Sequence, residues 1–380
     1  MTRGLGSVSS MTTLLAATTA LTEPMLLVDS AAITTNVRTI RAVTRGEVMA
    51  VVKADGFGHG LSTVARAALA GGAIRFGVTS LAEAVAVRAA GFDQPVLSWL
   101  NPVGADFGLA LAHRVDLAVP SLDHLAAVVA RAPGARVHLH LDTGMARDGA
   151  SPGEWLALCR AARNAERDGL VRVVGMMGHL ACAAEPDHPA NTAGRALFQI
   201  GLSVAEDAGL RPSDRHLAAT AATLSSPASH HTMSRIGAGL VGIDESGTVR
   251  LRPALTLVAP LVAVREVRAG TGVGYGHAWR APSATRLGLL PVGYADGLPR
   301  AAAGRATVLV GRVRRPVVGR ISMDMTVVDL GPSCDVGPGD PVVVFGPGDG
   351  GEPTAAEWAA WSDTLEHEFV TGLGTRLARA

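Results

Sequence analysis

Short apolar runs alternate with alanine-rich helical patterns over the first two-thirds of the chain. Nine such runs lie between Met25 and Ile243, among them "VMAVVKA" and "VHLHLDTG". Segments such as "SLAEAVAVRAAG" between them have the apolar spacing of helices. This alternation is typical of βαβ units around a parallel sheet, and the number of units predicts an α/β fold with a (β/α)8 barrel over residues 25–250. Such a barrel has eight strands, so one of the nine runs lies outside it, and the sequence does not show which one.

The pattern changes after residue 250. Runs such as "ATVLVGRVRRPVV" and "MTVVDL" are separated by short turns of Gly, Pro and Asp. They predict a mostly antiparallel β domain over residues 251–380. Near its end, Thr354 is a candidate cap for one helix over "AAEWAAWSDTLEHEFVTGLG", ending near Gly374. Residues 1–24 are expected to be an N-terminal extension, disordered or partly joined to the C-terminal domain.

Composition excludes several classes of protein. Hydrophobic residues make up 48% of the chain, charged residues 18%, and the net charge is +1 with both signs mixed. No basic stripe indicates nucleic acid, and no apolar run reaches the ~18 residues of a membrane span. The three cysteines form no CxxC pair, and the histidines have no metal-site spacing, so we expect a cytoplasmic protein without a metal.

Lys53 is the only lysine among 34 basic residues, so the other 33 are arginines. A chain that uses arginine everywhere else has a reason to keep one amine. Guanidinium stays protonated at any physiological pH, whereas an ε-amine can lose its proton and attack a carbonyl group. The sequence therefore indicates a chemical role at this position.

Polar residues at the ends of the predicted strands are the candidates for an active site, because a (β/α)8 barrel carries its chemistry there. They are Lys53, Arg147, His179, Thr220, Arg235 and Gly237. A lysine in an apolar mouth suits imine formation with an aldehyde. An arginine only donates hydrogen bonds, so it would face an unprotonated ring nitrogen, and "IGAG" offers free N–H groups for a phosphate. Together these features describe pyridoxal phosphate.

Six stretches resemble the alanine racemase family, in the family's order and over nearly the whole chain after residue 24. They are "AVVKADGFGHG", "LDTGMARDG", "MGHLACAAEPDHP", "VGYGHAW", "LLPVGYADGLPR" and "VVGRISMDMTVVDL". The resemblance implies a (β/α)8 barrel followed by a β domain, and a homodimer with shared active sites. It also implies pyridoxal-phosphate-dependent racemisation of a small amino acid, with L-alanine to D-alanine as the expected reaction.

By this resemblance, Lys53 holds the cofactor and is one catalytic base, while Tyr275 of the partner subunit is the second. Racemisation removes a proton from one face of Cα and returns it to the other, which two opposed bases achieve. The resemblance also implies that His216 hydrogen-bonds Tyr275. Only two tyrosines occur in the chain, and both fall in matched stretches.

The resemblance assigns the remaining contacts as follows. Arg235 faces the pyridine nitrogen, and His179 lines the ring. Thr220 and Gly237 contact the phosphate. Arg147 lies near the ring oxygen of the cofactor and the substrate carboxylate.

Further matched residues belong to the substrate entrance, and two positions depart from the family pattern. Tyr294, Met323 and Asp324 match the entrance wall supplied by the partner subunit. Phe57 stands where many members have a tyrosine whose hydroxyl reaches the phosphate. His140 replaces a lysine that many members carbamylate to orient the neighbouring arginine, so His140 itself or an anion is expected to hold that arginine.

Alternatives remain at the level of sequence. Within the racemases, serine or a broader range of amino acids is the alternative substrate, given the two departures. "GPSCD" at 331–335 superficially resembles the catalytic-cysteine motif of amino-acid decarboxylases with the same cofactor, but their Gly-rich loop and EPGR-like segment are missing. A non-catalytic cofactor-binding barrel would lack the "VGYGHAW" stretch.

Overall fold

The computed structural model describes residues 21–380. They form two compact units. The barrel unit contains residues 30–252, and the β unit combines residues 21–29 with residues 253–380. Residues 1–20 of the expected N-terminal extension lie outside the described part. Leu21 packs against a buried cluster of the β unit that contains Val258.

The first of the nine predicted strands does not belong to the barrel. Met25–Val28 (β1) pairs antiparallel with Leu255–Pro260 (β10) and parallel with Ala378–Arg379 (β19) in the β unit. The sequence of β1 is as apolar as that of a barrel strand, because side chains on both faces of either strand pack against other elements.

Eight strands form a nearly closed parallel barrel, as expected from the alternation of strands and helices. The last two predicted runs, residues 216–223 and 236–243, are misplaced: each begins at the last residue of its strand and continues into the helix Thr220–Ser225 or the 3-10 turn Ala238–Val241. The strands are β2 Glu47–Val51, β3 Arg75–Val78, β4 Val96–Ser98, β5 Val115–Val119, β6 Ala135–His140, β7 Val171–Met177, β8 Asp214–His216 and β9 Met233–Ile236. Neighbours in the sheet run in the order β8-β7-β6-β5-β4-β3-β2-β9. A parallel bridge between Ala219 and Arg235 brings the two edges together.

Side chains from several strands pack together in a buried cluster. The cluster combines five of them: Met49, Leu97, Ala118, Met177 and Met233. Around the sheet lie the helices α1 Ser30–Val43, α2 Leu61–Gly71, α3 Leu81–Ala89, α4 Phe107–Ala112, α5 Leu122–Arg131, α6 Pro152–Arg167, α7 Pro189–Asp207 and α8 Thr220–Ser225. No described helix is both long and apolar enough to cross a bilayer.

The β unit is mostly antiparallel, in agreement with the expected second domain. Besides β1, β10 and β19, its strands are β11 Ala263–Val267, β12 Gly272–Val273, β13 Trp279–Arg280, β14 Thr285–Leu290, β15 Thr307–Val310, β16 Val313–Pro316, β17 Thr326–Asp329 and β18 Pro341–Phe345. They form a six-stranded sheet in the order β16-β15-β18-β10-β1-β19, a three-stranded sheet β11-β14-β17 and a hairpin of β12 and β13.

The predicted single C-terminal helix is two helices, Ala355–Trp361 (α9) and Glu366–Thr371 (α10). Thr354 caps the first in a capping box, as expected. The break falls where Asp363 takes a φ of 55°. It allows Phe369 of the second helix to stack on Trp358 of the first, with ring centroids 5.9 Å apart. The apolar residues before and after Asp363 have the same helical spacing, so the sequence pattern does not indicate a break there.

Candidate active site

Lys53 begins a left-handed turn directly after β2, at the carboxyl end of the barrel. Ala54, Asp55 and Gly56 have φ values of 51°, 53° and 62°. Non-glycine residues avoid this conformation, which costs about 1–2 kcal/mol at each such residue. The turn is held by hydrogen bonds: the Ala54 N–H donates to Glu83 Oε1 at 2.8 Å, and the Leu61 N–H donates to Asp55 Oδ1 at 2.8 Å. Such strain is typical of functional sites.

The surroundings of Lys53 favour its neutral amine. Burial lowers the pKa of Lys53 from its ordinary 10.5, the positive charge of Arg147 lowers it further, and Glu83 partly opposes both effects. Nζ of Lys53 lies 5.9 Å from the ring centre of Phe57. An amine with a lowered pKa is a better nucleophile and a better base at neutral pH.

Arg235 lies on β9 inside the barrel with only 4% of its surface exposed. One terminal nitrogen donates to the carbonyl oxygen of His216 at 2.7 Å and to its Nδ1 at 3.0 Å. The other donates to the carbonyl oxygen of Gly178 at 2.7 Å and to Nδ1 of His179 at 3.1 Å. Within residues 21–380, Nε makes no hydrogen bond, so it is available to a ligand.

The charge of Arg235 remains at neutral pH. Burial, followed by the positive charge of Arg147, lowers the pKa of Arg235 to about 10. Burial, followed by the charge of Arg235, lowers the pKa of His179 to about 3. His179 is therefore a neutral imidazole, and since its Nδ1 accepts from a guanidinium, its proton resides on Nε2.

A small cradle for an anion lies where β9 ends. The N–H groups of Gly237 and Gly239 point at the hydroxyl of Thr220, at 3.4 and 3.2 Å. A Cβ at Gly237 would come within 2.6 Å of Cζ of Phe57, so no larger residue fits while the ring stays in place. The tip of Phe57 therefore forms one wall of the cradle.

Arg147, exposed in the loop after β6, has no hydrogen bond among the described residues. Its charge nevertheless acts on Lys53 and Arg235. The expected partner His140 instead lies 3.4 Å from Oδ2 of Asp148. Burial alone would raise the pKa of Asp148, but the nearby His140 ring and the hydrogen bond from the Gly149 N–H together outweigh this and lower it. His140 thus pairs with the neighbour of Arg147 rather than with Arg147 itself.

The expectation that His216 hydrogen-bonds Tyr275 disagrees with the structure. His216 is fully buried. Its Nδ1 accepts from Arg235, and its Nε2 lies 2.9 Å from Nδ1 of His138. Both ring nitrogens are used inside the barrel, so neither remains for a phenol.

The residues expected at the substrate entrance lie in the β unit. Tyr275 is 70% exposed on a short 3-10 turn, Tyr275–His277, between two glycines with positive φ. Tyr294 and Met323 are also exposed, and the loops that carry them are joined by the hydrogen bond from the Ala295 N–H to the Met323 carbonyl oxygen. Asp324 pairs with Arg376 at 2.7 Å.

Two residues near the candidate site, one at the mouth and one inside the barrel, could not be predicted from the sequence. Glu83 supports the Lys53 turn, yet its spacing from Ser80 indicates only a capping box at the start of α3. His138 faces inward next to His216, and nothing in "VHLHLD" separates it from an ordinary strand histidine.

Fold and mouth together define a class of protein: a (β/α)8 barrel with a lysine of lowered pKa near a cradle of backbone N–H groups, an arrangement typical of enzymes that form imines. The family model of the alanine racemase N-terminal domain matches residues 28–245, and the model of the alanine racemase C-terminal domain matches residues 254–380. The chain therefore belongs to the alanine racemase family.

Similar proteins span nearly all of the chain. An alanine racemase of Thermobifida fusca is 45% identical over 363 residues, which cover 93% of this chain and 96% of that protein. The structure of the Streptomyces coelicolor A3(2) alanine racemase has a TM-score of 0.91 at 42% identity, covering 94% and 97%. The Bartonella henselae alanine racemase, solved with covalently bound pyridoxal phosphate, has the same fold at 24% identity, with a TM-score of 0.84 and coverage of 94% and 99%.

Proposed function

We propose that this protein interconverts L- and D-alanine with pyridoxal phosphate. The observation that carries the proposal is the meeting of Lys53, Arg235 and the Gly237 cradle at one barrel mouth, in a chain of the alanine racemase family. The alanine racemase family models match both domains of the chain. This argues against the two alternatives, an amino-acid decarboxylase and a cofactor-binding protein that consists of a barrel alone.

The donor set at the mouth suits this cofactor. Lys53 would hold its aldehyde carbon, because it is the only lysine in the chain and its pKa is lowered. Thr220 and Gly237 would hold the phosphate with a hydroxyl and backbone N–H groups. When bound, pyridoxal phosphate supplies an electron sink for the negative charge that develops at Cα.

Arg235 would face the ring nitrogen with its unused Nε–H. A guanidinium with a pKa of about 10 keeps its protons at neutral pH, so it donates to an unprotonated nitrogen instead of protonating it. By leaving that nitrogen unprotonated, Arg235 would limit how much charge is withdrawn from Cα. Arg235 would thus favour proton return to Cα over side reactions that need a deeper electron sink.

Two residues would move the proton. Nζ of Lys53, released when the substrate amine takes its place on the aldehyde carbon, would remove or return it on one face of Cα, and its lowered pKa favours the neutral form that this needs. Oη of Tyr275 of the partner subunit would serve the other face. What supports this second role is the exposure of Tyr275, which leaves its phenol available to another copy of the chain. The working form would then be a homodimer.

The substrate would be bound by the exposed guanidinium of Arg147 and by exposed loops of the β unit. Arg147 is free to pair with a carboxylate, as its guanidinium has no partner in the described chain. Tyr294, Met323 and Asp324 of the partner subunit would narrow the entrance. We also propose a cytoplasmic location, which the three unpaired cysteines support.

A racemisation assay tests the function directly. The protein, loaded with pyridoxal phosphate, is incubated with a panel of L-amino acids, and the loss of circular dichroism is followed. We expect alanine to racemise fastest, and serine more slowly. Serine turnover above that of alanine would replace the proposed substrate, and a flat signal for every amino acid would overturn the function.

A further inference from the structure

A line of buried polar side chains runs through the barrel from Arg235 towards the amino ends of the strands. Arg235 donates to Nδ1 of His216 at 3.0 Å, and Nε2 of His216 lies 2.9 Å from Nδ1 of His138. Nε2 of His138 lies 3.5 Å from Oδ2 of Asp116, which also receives the guanidinium of Arg136 at 3.3 Å. We call these five residues the barrel relay.

Hydrogen-bond roles give the relay a direction. A guanidinium only donates, so Nδ1 of His216 must accept, and its proton must lie on Nε2. That proton is donated to Nδ1 of His138, which leaves the His138 proton on Nε2, facing the Asp116 carboxylate. Burial, followed by the charge of His138, lowers the pKa of His216 well below its ordinary value, in keeping with a neutral ring.

The barrel is shaped to admit the His138 ring. A Cβ at Gly175 on β7 would lie 1.9 Å from Nδ1 of His138, so any other residue there would collide with the imidazole. The pairing of β6 with β7 shifts register between Val137 and His138, which sets Gly175 opposite His138. His138 and His216 then pack edge to face with ring centres 5.0 Å apart.

Each buried member of the relay depends on the next. His216 and His138 are at most 1% exposed, and Asp116 is 5% exposed. Nε2 of His138 makes no hydrogen bond within residues 21–380, and the carboxylate that faces it is Oδ2 of Asp116, at 3.5 Å. A donor or acceptor buried without its partner is strongly disfavoured, so the charge of Asp116 is what compensates the buried Nε2–H of His138.

We propose that His138, held by Asp116, is a positioning residue that fixes His216 and thereby the orientation of Arg235. The relay would keep Nε of Arg235 directed into the mouth, where the proposed function requires it. The contacts of the relay do not depend on the proposed function, whereas the effect of the relay on catalysis rests on it. Charged groups at the amino ends of barrel strands usually serve stability alone, so the test must separate the two roles.

The test compares four variants of the full-length chain. His138→Leu removes the acceptor for His216, whereas His138→Asn retains an acceptor near the position of Nδ1. Asp116→Asn removes the charge at the end of the relay. Asp214→Asn is the matched control, since Asp214 is also buried, at 7% exposed, pairs with Arg75 at 2.9 Å and makes no hydrogen bond to the relay.

The first readout is proton NMR of the imidazole N–H region, with the protein loaded with pyridoxal phosphate and freed of it. We expect a slowly exchanging, downfield N–H signal in the wild type and in Asp214→Asn. It should be missing in His138→Leu and broadened in Asp116→Asn. A downfield spectrum that none of the relay variants changes would overturn the relay, whatever the protein catalyses.

The second readout is the split between kcat and KM, together with the cofactor absorption spectrum. A displaced Arg235 should lower kcat by about 10- to 100-fold with KM within about twofold, and His138→Asn should recover part of the loss. Variants that match Asp214→Asn in kcat and spectrum would overturn the positioning role. If His138→Leu does not fold, His138→Asn and Asp116→Asn decide the question. A wild type without racemase activity would instead refute the proposed function.

Discussion

At the scale of single residues, the candidate site depends on the positions of the Lys53 amine and the Phe57 ring. Lys53 is followed by a strained turn and lies near the charge of Arg147, which together with burial lowers its pKa. Phe57 closes that turn, and its ring forms a wall of the anion cradle beside Gly237. These two positions give predictions that can be checked by absorption spectroscopy.

Lys53→Ala should abolish the absorption band of lysine-bound pyridoxal phosphate, because no other lysine exists to replace it. Lys53→Arg should lose the band as well, since a guanidinium stays protonated and does not attack an aldehyde. Absorption spectra of the loaded proteins measure this, with thermal unfolding as the control for folding. A band that persists in either variant contradicts the role of Lys53.

Phe57→Tyr should tighten the retention of pyridoxal phosphate. Cζ of Phe57 lies against Gly237, so a hydroxyl at that atom would stand beside the cradle and could donate to the phosphate. A hydrogen bond to a charged group contributes about 1.5–3 kcal/mol, or roughly tenfold or more in affinity. Equilibrium dialysis measures the change, and Phe57→Leu, which adds no hydroxyl, is the control. Unchanged retention would mean that the phosphate is already satisfied.

At the scale of elements, α3 supports the Lys53 turn from a neighbouring βα unit. Glu83, near the start of this helix, accepts from the Ala54 N–H and from the N–H and hydroxyl of Thr79. Burial alone would raise the pKa of Glu83, but these hydrogen bonds outweigh it and lower the pKa below its ordinary 4.5. One carboxylate thus couples a helix start to the position of the lysine.

Glu83→Gln should destabilise the protein at neutral pH, because glutamine replaces an acceptor with a donor that faces other N–H groups. Since the folded pKa lies below the unfolded one, the contribution of Glu83 is complete above pH 4.5 and is lost as the pH falls below that value. We expect Tm to fall by roughly 2–4 °C at pH 7, with the difference shrinking towards pH 3. A difference that is constant from pH 7 to 3 would contradict the account.

Glu154→Gln is the matched control for this experiment. Glu154 forms the corresponding capping box with Ser151 on α6 and makes no contact with the Lys53 turn. Cofactor retention should therefore weaken in Glu83→Gln and remain unchanged in Glu154→Gln.

Much of the barrel could be predicted from sequence, because alternating apolar runs and helical spacing report burial directly. Met25–Val28 could not be assigned, since an apolar run does not reveal which sheet it joins. The division of the last helix at Asp363 depends on Phe369 stacking against Trp358, a contact that spacing does not contain. Within the site, the candidates at strand ends were visible, but the partners of His216 and His140 depend on three-dimensional proximity alone.

At the scale of the whole molecule, the proposed chemistry needs two chains. The barrel unit carries Lys53, and the proposed second base, Tyr275, lies exposed on the β unit. The central claim is that Lys53 of one protomer and Tyr275 of the partner subunit act on the same substrate. Each active site then depends on one barrel unit and on one β unit from different chains.

Mixing two inactive variants tests this claim most directly. Lys53→Ala and Tyr275→Phe homodimers are each nearly inactive if both bases are needed. After subunit exchange, confirmed by native mass spectrometry, a mixed dimer would hold one site in which both bases are mutated and one in which both are intact. At equal mixing, half of the dimers are mixed, so we predict that alanine racemisation returns to about a quarter of the wild-type rate. Exchange without any recovery of activity would contradict the shared site.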